Sequence, residues 1–280
     1  YRHPLVIAML RSLCALDRPT DRLDDAVRHC RESQSLAEDL HGRDHRASID
    51  ANRQLAALYV DLGRFGQAES IFLQTFGWMR ARLDRHHPDL ARAYNSLAIV
   101  AWERGDIDRA LEFQQQAVAG WKTGHNDGLT ANGLFNLAMI LHSAGRDREA
   151  LPPVQESRAL RAKQFGETHE LVGDSDHLLG EIQAALGDTQ AARATLQQAV
   201  RLTMAGYGPE HSHTRRAEVS LARLRANEGA PDALLKLTAY GQSSSDDIEQ
   251  RKAAWLARAY APEVEGNSVS ATAQPPLPHT

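Results

Sequence analysis

At 280 residues, with a formal net charge of −4 and 42% hydrophobic residues, the chain is ordinary for a water-soluble protein and long enough for one large domain or an elongated array. Nothing in that charge balance argues for nucleic acid or for an anionic membrane surface, and no nucleic-acid partner is expected. No apolar run approaches the roughly 18–20 residues that cross a bilayer; residues 95–102 are cut short by Glu103. The chain starts at Tyr1 without a signal-like start and is read as a piece of a longer protein. Its compartment is expected to be cytoplasmic, or extracytoplasmic if an upstream segment of that protein spans a membrane.

In chain order the dominant feature is a repeat, anchored on Gly63, Gly105, Gly145, Gly187 and Gly229 at spacings of 42, 40, 42 and 42. Eight residues before each glycine stands a leucine (Leu55, Leu97, Leu137, Leu179, Leu221), followed by a small residue (Ala56, Ala98, Ala138, Gly180, Ala222). Five residues after the glycine comes Ala68, Ala110, Ala150 and Ala192, with Leu234 in that slot of the last unit. One period before Gly63, Leu13, Cys14 and Ala26 fill the same slots, which makes six units near residues 5–40, 47–83, 89–122, 129–165, 171–206 and 213–240.

Within a unit the apolar residues fall at 0, +3 and often +4 from the leucine, as in Leu55, Leu58 and Tyr59, which is one helical stripe. The glycine supplies a left-handed helix end, and the two small slots let a second helix come close. Each unit therefore reads as an antiparallel helical hairpin, and hairpins must stack to bury their stripes. Cys14 and Cys30 fit apolar helix faces and are expected to be buried thiols, since two cysteines make neither a disulfide framework nor a zinc site. After the sixth unit, residues 246–260, with Asp246 as N-cap and Glu249 three residues on, read as a capping helix of a solenoid extending over 1–261. Residues 262–280, rich in Pro, Ser and Thr, read as a disordered tail.

Thirteen histidines raise the question of chemistry. His45, His87, His169 and His211 each stand 18 residues before an anchoring glycine, so they follow the repeat and sit about a repeat-width apart, too far to share a metal. Loop packing or helix capping is the expected role. No phosphate-binding glycine loop, zinc-protease helix, nucleophile elbow or kinase motif is present, and neither a cofactor nor a metal is expected. The basic stretches 80–87 and 213–225 are the best candidates for anion binding, against which stands the reading of solvated helix faces diluted by Asp84, Glu210 and Glu218.

The pattern Leu55, Ala56, Tyr59, Gly63, Ala68 and Phe72 resembles the tetratricopeptide repeat, and the 42-residue spacing with a histidine-bearing loop such as residues 86–98 is similar to the kinesin light chain-like subfamily. The resemblance covers about residues 5–240 and implies an all-α fold, an α-α superhelix of about six hairpins. It also implies a concave groove lined by first helices. Slots at −5, −2, +2, +5 and +6 from each leucine avoid the core stripe and would face it. The groove candidates are Arg53, Arg92, Asn95, Ile99, Trp102, Glu103, Asn132, Phe135, Met139, His142, His177, Glu181, Arg216 and Arg223.

Ile99, Trp102, Phe135 and Met139 would give an apolar centre and the arginines cationic margins, with Asn95 and Asn132 holding a peptide backbone. Alternatively, Trp102 and Phe135 pack against each other and close the groove. The expectation is a non-enzymatic module that binds a protein or peptide, the docking part of a larger bacterial regulatory protein such as a Ser/Thr kinase. The competing readings are a metal-binding or enzymatic protein using the loop histidines, and an architectural or self-associating array. The sequence does not fix the oligomeric state.

Overall fold

The protein is described from a computed structural model over residues 3–17, 22–84, 87–230 and 232–233. The expected capping helix and tail lie outside these residues. Among the described residues there are eleven α-helices and no strand: α1 (Pro4–Asp17), α2 (Leu23–His41), α3 (Arg46–Asp61), α4 (Phe65–Arg82), α5 (Pro88–Glu103), α6 (Ile107–Thr123), α7 (Asp127–Ser143), α8 (Asp147–Phe165), α9 (Glu170–Ala185), α10 (Thr189–Tyr207) and α11 (Ser212–Asn227). This is the all-α fold of successive helical hairpins that the repeat implied. Two compact units divide the chain after Gly133. In the first, α1 packs on α2, α3 on α4 and α5 on α6, and α2 and α4 also pack on the first helix of the next hairpin. In the second, α8, α9, α10 and α11 pack in succession and α9 also touches α11.

Each slot of the repeat has a physical cause. At the end of α3, Gly63 at φ +67° lets its N–H bond Val60 O (3.0 Å) and the Arg64 N–H bond Tyr59 O (2.8 Å), which satisfies two carbonyls that a helix end leaves open. The small slot marks closest approach: a Cβ on Gly180 would stand 2.6 Å from Leu196 of α10. The repeating histidines are helix caps. The Nδ1 atoms of His45, His87, His169 and His211 accept from the N–H of Ala47, Asp89, Leu171 and His213 at 3.2–3.3 Å. Three of these rings also stack on the end of the preceding helix, on His41, Phe165 and Tyr207, at 4.5–4.6 Å between centroids.

The cysteines depart from expectation. Cys14 and Cys30 are joined as a disulfide between α1 and α2, with Cα atoms 5.3 Å apart and both residues buried. The cause lies in the repeat register: Cys14 occupies the small slot of its hairpin and Cys30 the slot that Leu196 occupies opposite Gly180. Two cysteines at the point of closest approach meet at bonding distance.

Candidate partner-binding face

Helical angle puts the −5 and −2 slots of successive first helices on one side of the array. In the first unit that side carries a cleft of about 430 Å³ between α3 and α5. Its floor is the second helix α4, seen through the gap: Phe72, Thr75 and Met79 are buried and line it together with Ile49, Leu83 and Ala93. Small Ala93 and Ser96 on the α5 side leave that floor open. The rim is charged. Arg53 pairs with Asp50 at 3.3 Å, Arg92 with Asp89 at 3.8 Å, and Asp44 with Arg82 at 2.8 Å. Among the described residues Arg46, also on the rim, makes no ion pair. A second recess lies between α1 and α3, lined by Ala8, Arg11, Ala15 and Ala57, and Asp50 and Arg53 border both. Arg11 reaches Asp50 at 3.8 Å.

The groove candidates divide between the two units. In the first, Arg53 and Arg92 are exposed on the cleft rim, and Asn132 is exposed. Ile99 and Trp102 are half-buried. Glu103 reaches solvent, yet desolvation by its surroundings raises its carboxyl above the ordinary value. Asn95 is not a freely presented clamp: its carboxamide oxygen accepts from Gln114 Nε2 of α6 at 3.1 Å.

In the second unit Phe135 and Met139 are half-buried, and the Arg161 guanidinium covers the Phe135 ring at 4.5 Å from its centroid. His142 is held by Asp147 at the α7–α8 turn. Arg216 is exposed on α11. His177, Glu181 and Arg223 are brought together by Ser220, a residue the slot reading left out. Ser220 Oγ donates to Glu181 Oε1 (2.9 Å), Arg223 Nη2 donates to the same oxygen (3.1 Å), and His177 Nε2 lies 3.0 Å from Ser220 Oγ.

Those residue types invite a nucleophile–base comparison, and the geometry answers it. The hydroxyl proton points at the carboxylate, and Glu181 Oε2 approaches the same ring nitrogen, Nε2, at 3.7 Å rather than orienting the ring through Nδ1. The arrangement is a polar clamp between α9 and α11. Beside it, Asp174 is buried and accepts from Tyr207 (2.9 Å) and His213 Nδ1 (2.7 Å). Burial and that donated bond push the Tyr207 hydroxyl well above its ordinary value. Among the described residues no three of His, Cys, Asp and Glu stand close enough to share a metal ion.

The floor residues Ile49, Phe72, Met79 and Leu83 and the rim residue Arg46 were missed because the slot reading followed first helices at five offsets. Phe72 stood in the repeat pattern as a packing residue, and the available signal was the small Ala93 and Ser96 facing it.

A family profile described as tetratricopeptide repeat matches residues 5–76, 48–123, 89–163 and 129–205. No curated protein matches the chain. Among solved structures it is similar to a Podosopora anserina putative kinesin light chain with nearly identical TPR-like repeats, at 20% identity over 72% of this chain and 97% of that one, TM-score 0.63. It is also similar to BtubC from P. vanneervenii, at 19% identity over 96% and 99% of the two chains, TM-score 0.62. A Rap protein complexed with Competence and Sporulation Factor is similar at 15% identity over 91% and 66%, TM-score 0.63. At these identities the likenesses concern the fold. With the repeat register, the capped hairpins and a profile matching most of the sequence, the chain belongs to the tetratricopeptide-repeat family.

Proposed function

We propose that the chain is a protein–protein interaction module whose first-helix face takes up a segment of a partner polypeptide. The observation that carries this reading is the cleft between α3 and α5, an apolar floor under three arginines. A bulky apolar side chain of the partner enters over Phe72 and Met79. Carboxylates flanking it reach Arg46, Arg53 and Arg92, whose planar forks suit them. The partner segment continues over Ile99, Trp102, Glu103 and Asn132. The second unit offers Phe135, Met139, His142, His177, Glu181, Arg216 and Arg223 for its own contacts.

The similar Rap protein, solved with Competence and Sporulation Factor, supports this reading at the level of fold. The module serves as the docking part of a larger bacterial regulatory protein, of which a Ser/Thr kinase is one form. No described helix is long and apolar enough to cross a membrane. The Cys14–Cys30 bond favours the extracytoplasmic of the two placements, since disulfides persist in oxidising surroundings.

Selection from a displayed random-peptide library tests the reading. The intact chain should enrich peptides with one large apolar residue beside acidic ones, and Arg53→Glu/Arg92→Glu should lose them. Enrichment that is indifferent to this double substitution would place the site elsewhere.

A further inference from the structure

Successive first helices face each other at one pair of slots: the residue two before the repeat leucine on the earlier helix, and the residue one before it on the later helix. With a period of 42 these stand 43 apart. Between α1 and α3 the pair is Arg11 and Gln54, and it is closed. Gln54 Nε2 donates to Arg11 O at 2.7 Å, and Arg11 Nε reaches Gln54 Oε1 at 3.4 Å. Between α9 and α11 the pair is His177 and Ser220, joined at 3.0 Å from Nε2 to Oγ. Between α3 and α5 it is Arg53 and Ser96, and each turns to its own helix. Ser96 Oγ donates to Arg92 O at 3.2 Å, and Arg53 Nη2 donates to Asp50 Oδ1 at 3.3 Å.

The two recesses of the first unit differ accordingly. Among the described residues, those that line the α1–α3 recess all belong to α1 and α3, so the tie between Gln54 and Arg11 shuts off the second helix beneath it. The α3–α5 cleft instead reaches down to Phe72, Thr75 and Met79 of α4. Ser96 is too short to bridge the gap, and the floor stays open. Thr75 keeps that floor apolar in character, because its hydroxyl proton is spent on Ile71 O at 2.8 Å.

We propose that this pair is the gate of the partner site. By leaving it open, Ser96 sets one buried apolar side chain of the partner at the α3–α5 junction, and the closed Arg11–Gln54 pair demands a small residue at the α1–α3 junction. The inference rests on the cleft being the partner site and names the residues that decide what enters it. Neighbouring packed helices lie about 10 Å apart, and an extended chain advances roughly 3.3–3.6 Å per residue. The small residue therefore falls about three positions from the anchor. Glycine, alanine or serine suits that place, since Ala8, Ser12, Ala15 and Ala57 make a shallow surface and Gln54 blocks any deeper entry.

Peptides selected by display on the intact chain should carry such a small residue on one side of the anchor, besides the acidic neighbours. In calorimetric titrations of one of them, Ser96→Gln should weaken binding at least about tenfold, because a glutamine there can tie to Arg53 as Gln54 ties to Arg11. The same substitution should make no difference to a peptide whose anchor is alanine, since nothing then enters the gate; a general structural effect would weaken both peptides alike. Gln54→Ser opens the other junction, and selection on that variant should lose the preference for a small residue. An unchanged thermal melt confirms that both variants fold. If the anchored peptide binds Ser96→Gln normally while Arg53→Glu/Arg92→Glu abolishes binding, the gate is overturned and the cleft remains the partner site. Equal weakening of both peptides overturns the gate too, as does a small-residue preference that is missing from the wild-type selection or survives Gln54→Ser. Indifference to Arg53→Glu/Arg92→Glu overturns cleft and gate together.

Discussion

His169 accepts the Leu171 N–H through Nδ1 and stacks on Phe165, so one imidazole satisfies a helix start and fixes the preceding loop. His169→Ala removes both and should lower the unfolding free energy by about 1 kcal/mol, while His169→Asn, which keeps a capping acceptor, should recover most of it; urea titration distinguishes them. Arg158 and Asp176 matter for a different reason. Asp176 is buried, Arg158 Nε reaches its Oδ1 at 2.6 Å, and its other oxygen has no partner. Burial raises its carboxyl above the ordinary aspartate value even with Arg158 beside it. The folded state therefore binds this proton more tightly than the unfolded state, and stability falls as pH rises from the ordinary aspartate range through the raised value. Arg158→Ala leaves the carboxylate alone in the interior and should cost about 3 kcal/mol at neutral pH. That loss should shrink on acidification through the same window. An equal loss at pH 7 and pH 5 would mean the carboxylate is not its cause.

The hairpin was legible at the scale of elements because its causes repeat. Leucine, small residue, glycine and alanine recur since every hairpin needs a stripe, a close approach and a left-handed end. The contacts that distinguish one junction from the next were not legible. Residues 18 apart, one on a second helix and one on the following first helix, form an amide pair at Gln34–Asn52, an aromatic pair at Phe76–Tyr94 (4.8 Å) and an ion pair at Arg158–Asp176. The same slots carry three chemistries, so no periodicity announces them. Cys14–Cys30 is the extreme case: the register sets the two residues opposite each other, while two cysteines on apolar helix faces point equally to buried thiols. Reduction should loosen the α1–α2 hairpin. Opening a loop of this size, 16 residues in separation, removes about 3 kcal/mol of constraint. Hydrogen exchange should then rise in α1 and α2 on reduction while α9 and α10 stay protected; uniform exchange would show that the bond does not pin that hairpin.

For the molecule as a whole, repetition accounts for the fold, and the residues that break repetition carry the candidate site. Arg53 and Arg92 were legible because the helical angle selects their slots. The floor of Phe72 and Met79 was hidden because it belongs to a second helix and opens only where small α5 side chains uncover it. Asn95 shows the converse, a residue in the right slot whose carboxamide oxygen is taken by Gln114. The most direct measurement is a calorimetric titration of the library-selected peptide into the wild-type chain and Arg53→Glu/Arg92→Glu. Two lost charge-assisted contacts should weaken binding about 100-fold without shifting the thermal melt. Equal affinities for the two proteins would contradict a partner site in this cleft.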